Sequence, residues 1–113
     1  MQRTFIYAHL FEQDLKGRRR AVEIVEAVES ELLRDLACGD VVQRTGGVRK
    51  FRSEDFTRGK ERRGGIRVLY LDLPHVERTH LLFLYDKGEA NDLSPEGKMR
   101  IRQIVIEIKG ELK

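Results

Sequence analysis

The spacing of apolar residues changes at Asp40 and changes back at Ser94, and this double switch constrains the fold more than any other feature of the chain. From Arg19 to Leu36 the residues Val22, Val25, Val28, Leu32 and Leu36 recur every three to four positions, flanked by Ala21, Ile24 and Leu33. That period predicts an amphipathic helix. Gly39 follows at the place where a left-handed residue commonly ends a helix. After Asp40 the apolar residues fall into short β-type runs, Val41–Gln43, Val48–Arg52, Ile66–Leu73 and Thr79–Tyr85, separated by Gly, Pro and charge clusters. Three of these runs can pair as consecutive hairpins. Ser94-Pro95-Glu96 then opens a last helix, with Ser as N-cap, Pro at the first helical position and an acid in the first turn. Met99, Ile101, Ile104, Val105, Ile108 and Leu112 make its expected buried side. Upstream, Thr4–Ala8 predicts a short first strand. His9–Lys16, with Phe11 and Leu15 at helical spacing, predicts a short helix stopped by Gly17. The order implies an α+β fold: N-terminal helices packed on a small, mainly antiparallel sheet, with a C-terminal helix.

The 113 residues suffice for one core but not for two, so 1–113 is read as a single domain. The net charge of +3 is unevenly spread. Between Arg44 and Arg67 the chain holds nine Lys/Arg and five Gly against three acids; elsewhere bases and acids balance or lean slightly acidic. Clustered cations attract phosphates regardless of sequence, and glycines let a backbone approach a ligand closely. The segment suits a grip on an RNA backbone, with Arg49, Arg52, Arg58, Arg62 and Arg63 as candidate RNA-binding residues.

Other classes of chemistry are poorly represented. The one cysteine, Cys38, excludes an internal disulfide framework and is read as a small buried residue in a reducing compartment. The N-terminus MQRTFIYAHLF lacks a secretory core, and no run approaches the roughly 20 apolar residues of a membrane helix. The expectation is a soluble, cytoplasmic protein without membrane contact. His9, His75 and His80 read as lone surface histidines, and no zinc spacing, Walker loop, dinucleotide fingerprint or serine elbow is present. Neither Glu54-Asp55 nor the pair Glu89 and Asp92 makes a convincing acid–base or cation site, so no metal and no cofactor is expected.

Strand pairing turns the basic segment into a site. A hairpin of Ile66–Leu73 and Thr79–Tyr85 turning near Pro74–Glu77 puts Arg67 roughly opposite Tyr85, with Lys87 just beyond the strand end. Pairing of Val48–Arg52 with Ile66–Leu73 brings Lys50 near Arg67. Lys50, Arg52, Arg67, Tyr85 and Lys87 then share one end of the sheet. Cations converging without enough acids to pair them call for an anion between them.

The order Gly39-Asp40-Val41, Thr45-Gly46-Gly47-Val48-Arg49-Lys50-Phe51-Arg52, Arg58-Gly59-Lys60, Gly64-Gly65-Ile66-Arg67-Val68-Leu69-Tyr70, Leu84-Tyr85-Asp86-Lys87-Gly88-Glu89 and Asp92-Leu93 resembles the HigB branch of the RelE toxin superfamily. The resemblance spans nearly the whole chain. It implies a RelE-like fold and a toxin of a type II toxin–antitoxin system. Such a toxin enters the ribosomal A site and cuts messenger RNA by attack of a 2′-hydroxyl on the neighbouring phosphate, inhibiting translation. It also implies a cognate antitoxin, often with a helix-turn-helix domain. By the same resemblance Arg67 matches the strand arginine that stabilises the transition-state phosphate. Lys50, Arg52 and Lys60 match basic positions before and within the loop, Lys87 matches the lysine after the last strand, and Tyr85 supplies the aromatic group. Catalysis then rests on Arg67, Lys50, Lys87, Tyr85 and Lys60. Asp86 and Gly88 depart from the family's usual Gly or Ala and polar residue on either side of that lysine, and Glu61 dilutes the basic loop. A non-catalytic RNA- or ribosome-binding module and a protein-interaction domain are the alternative readings.

Overall fold

The computed structural model describes residues 3–53, 66–86 and 94–112. In chain order these form β1 (Thr4–Tyr7), α1 (His9–Leu15), α2 (Ala21–Arg34), β2 (Asp40–Val41), β3 (Arg49–Ser53), β4 (Ile66–Leu73), β5 (Arg78–Asp86) and α3 (Pro95–Glu111). Among the described residues the sheet has five strands in the order β1-β5-β4-β3-β2, antiparallel except for the parallel β1–β5 pair. The protein is thus α+β with a mixed sheet. Among the described residues no helix is long and apolar enough to cross a membrane.

Helices cover both faces of β4, which explains why its sequence is a near-continuous apolar run rather than an alternation. Ile66, Val68 and Tyr70 join a core with Phe11 of α1 and Ile24, Val28 and Leu32 of α2. Leu69, Leu71 and Leu73 join a second core with Ile101 and Val105 of α3. In α2 the buried residues fall at intervals of four, giving one continuous stripe. Burying each such side chain contributes about 1.5–3 kcal/mol. That outweighs the few tenths of a kcal/mol by which valine and isoleucine disfavour a helix, roughly 0.7 at most.

Several details differ from the sequence expectation. Helix α2 ends at Arg34, and Asp35 then accepts from the Ala37 backbone N–H at 3.0 Å, forming a local turn. Gly39 is not left-handed; among the described residues the glycines with positive φ are Gly17, Gly46 and Gly47. What Gly39 needs is room: a Cβ there would lie 2.7 Å from the Lys50 carbonyl oxygen and 3.1 Å from the Tyr70 ring. Cys38 is exposed rather than buried. Met99, 71% exposed, points off the buried side of α3.

The two described glycines of the basic segment, Gly46 and Gly47, serve the fold. Arg44, Gly46 and Gly47 take left-handed φ angles in the β2–β3 connection. The Thr45 hydroxyl locks that turn, donating to the Val42 carbonyl at 2.7 Å and accepting from the Val48 N–H at 3.2 Å. Gly46 then meets α3: an added Cβ would stand 3.1 Å from Val105 Cγ1, and Lys109 Nζ donates to the Gly46 carbonyl at 3.1 Å. Here the close backbone approach is to a helix, not to a ligand.

The β4–β5 hairpin turns through a 3-10 segment, Pro74–Val76, and carries one irregularity. Leu69 pairs with Phe83 but Tyr70 pairs with Leu81, leaving Leu82 as an extra residue in β5. Leu82 and Phe83 consequently both pack in the α3 core although they are adjacent, the mark of a β-bulge.

Candidate nucleic-acid interface

β3 and β4 bring three of the expected residues together. Arg52 pairs directly with Arg67, and Lys50 pairs with Leu69, two residues further along β4. All three line a groove of about 450 Å³ beside the C-terminal end of α2. Arg34 adds a fourth cation that the sequence reading did not single out. Its place follows from connectivity: only residues 35–39 separate α2 from β2, and Asp40 of β2 pairs with Lys50.

The same connectivity brings acids. Glu31, Asp35 and Asp40 line the groove with the four cations, so the expected surplus of unpaired positive charge shrinks to one among the described lining residues. Arg52, Arg67 and Glu31 each have an interaction partner. Like charges placed directly opposite across a ladder repel, and carboxylates at the C-terminal end of α2 bring compensating negative charge into the same groove.

The groove wall is fixed by Tyr70 and Arg49. Tyr70, fully buried, donates its hydroxyl to the Leu36 carbonyl at 2.9 Å and accepts from the Gly39 N–H at 3.1 Å. Arg49 Nη1 donates to the Gly39 carbonyl at 2.7 Å. Arg49, expected to touch RNA, is half-buried and pins the α2–β2 connection. Burial pushes the Tyr70 hydroxyl up to about 12, with the Gly39 N–H pulling the other way. Cys38 Sγ stands 4.0 Å from that hydroxyl. Although the residue is exposed, partial desolvation of its thiol raises the pKa, and Asp35 and Glu31 add to the rise. It is a thiol, not a nucleophilic thiolate, at neutral pH.

Tyr85 is opposite Arg67 as expected, yet it does not line the groove. Its half-buried ring packs in the α3 layer and borders a separate cavity. Lys87, Lys60, Arg58, Arg62 and Arg63 lie outside the described residues, as do Glu54, Asp55, Glu61, Gly88, Glu89 and Asp92. His9 and His75 are exposed. His80 instead sits half-buried in β5, its Nε2 enclosed without a hydrogen-bond partner. Burial first, then Arg78, lowers its pKa. No protein-family model matches the chain.

Proposed function

We propose that this protein is an RNA endonuclease toxin with a RelE-like fold of the HigB type, acting on messenger RNA in the ribosomal A site, in the cytoplasm, and held in check by a cognate antitoxin. The observation that carries the reading is the convergence of Lys50, Arg52 and Arg67 on one groove. The two strands that present them are joined by residues 54–65, themselves rich in Arg and Lys. The α+β order of elements agrees with it. In the proposed reaction the RNA 2′-hydroxyl attacks the adjacent phosphate, the 5′-oxygen leaves, and a cyclic phosphate and a free 5′-hydroxyl result. Arg67 is the natural stabiliser of the added negative charge, because a guanidinium stays protonated and offers planar paired donors to phosphate oxygens.

Arg67→Ala is the direct test. Mapping of messenger RNA ends on translating ribosomes should show cleavage slowed on the order of 10²–10³, the usual cost of losing one transition-state donor, while circular dichroism shows an intact fold. Wild-type rates from a folded variant would remove Arg67 from the mechanism. A second reading, a non-catalytic RNA-binding module, draws on Glu31, Asp35 and Asp40, which reduce the groove's charge. RNA binding without end products on ribosomes would favour it.

A further inference from the structure

The largest cavity described is separate from the α2 groove and opens between α1 and α3. It has a volume of about 560 Å³ between β4–β5, α1 and α3. Its walls are mostly apolar: Leu69 and Phe83 from the sheet, Leu10 from α1, Ile101 and Ile104 from α3. Leu10 is 41% exposed, so the apolar lining reaches the surface. Space of this size, concave and apolar with few polar groups, matches small-ligand sites, which typically measure about 300–1,000 Å³.

Among the described residues two charged side chains reach this cavity, and they are not equivalent. The Asp14 carboxylate is engaged, since its Oδ2 accepts from the Leu84 N–H at 3.1 Å. Arg100 is exposed and makes no ion pair among the described residues. A guanidinium beside apolar walls, without an acid partner among the described residues, favours a ligand with an apolar body and one negative charge, and the Asp14 charge turns that anionic end toward Arg100.

We propose that this cavity binds a small apolar monoanion, a medium-chain or aryl carboxylate, with its apolar body against Phe83 and Ile104 and its carboxylate on Arg100. Tyr85 borders the same cavity and pairs with Arg67 across the β4–β5 ladder. A bound ligand therefore sits next to a residue of the expected RNA site. Binding itself is independent of the endonuclease reading and is measured without RNA or ribosomes.

The experiment titrates the full chain with decanoate, decanol and decylamine, read by calorimetry and by ligand-to-protein NMR cross-peaks. Decanoate should saturate one site with cross-peaks to Phe83 and Ile104 and bind more tightly than either analogue. Arg100→Gln, a change at an exposed position, should weaken decanoate about tenfold, as loss of one charge-assisted contact does, and leave decanol unchanged. No saturable binding, equal affinity for decanoate and decanol, preference for decylamine, cross-peaks elsewhere, or an unaffected Arg100→Gln protein would each overturn the proposal.

Discussion

Gly39 is the residue at which the chain tolerates least change. Its missing side chain lets the α2–β2 connection lie against the β3 backbone, where a methyl group would stand 2.7 Å from a carbonyl oxygen that cannot rotate away. Gly39→Ala should lower stability by about 1–3 kcal/mol, the range for overpacking, as read by urea unfolding. An unchanged midpoint would mean that the connection can move. Tyr70, which binds the same glycine, gives the protein an alkaline limit. Its hydroxyl has an ordinary pKa of 10.0 when unfolded and about 12 when folded. The unfolded chain loses this proton first, so the contribution is complete below pH 10 and is lost as pH rises toward 12. Tyr7, raised to about 12 by burial and by its hydrogen bond to Glu29, acts in the same direction. Unfolding free energy should fall between about pH 10 and about pH 12, less steeply in Tyr70→Phe. A fall as steep in that variant would place the titration elsewhere. Single residues were the least legible part of the sequence. A glycine after a helix reads as a cap because local rules see only neighbours, whereas the role of Gly39 is set by Lys50 and Tyr70. Cys38 likewise lost the burial expected for its type, because α2 ends before reaching it.

Elements were far more legible. The Ile66–Leu73 run is β4 residue for residue, and Ser94-Pro95-Glu96 opens α3 with the Ser94 side chain accepting from the Gly97 N–H at 3.0 Å. Strong periods and N-cap chemistry are local, so a sequence displays them. What it does not display is how one element completes another. β1 ends at Tyr7, paired with Leu81, and β5 continues beyond it. Asp14 of α1 supplies the acceptor that a longer β1 would have offered, taking the Leu84 N–H. Asp14→Ala should cost about 1–3 kcal/mol, the penalty for a buried donor left unpaired, and speed hydrogen exchange at Leu84. Asp14→Asn keeps an acceptor and should cost much less. Equal losses in the two variants would show that charge, not the hydrogen bond, matters. The acids of the groove were missed for a related reason: Glu31 and Asp35 belong to the end of a helix whose apolar stripe drew the reading toward packing, and only the short α2–β2 connection brings them to Lys50.

Over the whole molecule, basic and acidic elements meet instead of separating. The expected basic patch is edged by the carboxylates of α2, and the outer side of α2 carries Glu23 and Glu26 as well. If RNA enters the groove, Glu31→Gln with Asp35→Asn should strengthen binding of a short RNA, because repulsion from two carboxylates is removed; the gain should shrink as salt rises. Fluorescence anisotropy across a salt series checks this, and unchanged affinity would mean that RNA passes elsewhere. The bulge at Leu82 has a consequence at this largest scale as well. Strand faces are counted in twos, so β5 behaves as a parity setting: five residues from Leu81 to Tyr85 put the tyrosine on the same side as Arg67. Straightening the ladder with every residue kept would bring Leu84 to that position and turn Tyr85 toward α2, whereas deleting one residue together with the bulge would leave Tyr85 opposite Arg67. Length and bulge in β5 are therefore coupled: the strand can lose a single residue only by losing its bulge at the same time if the arginine is to keep its aromatic neighbour.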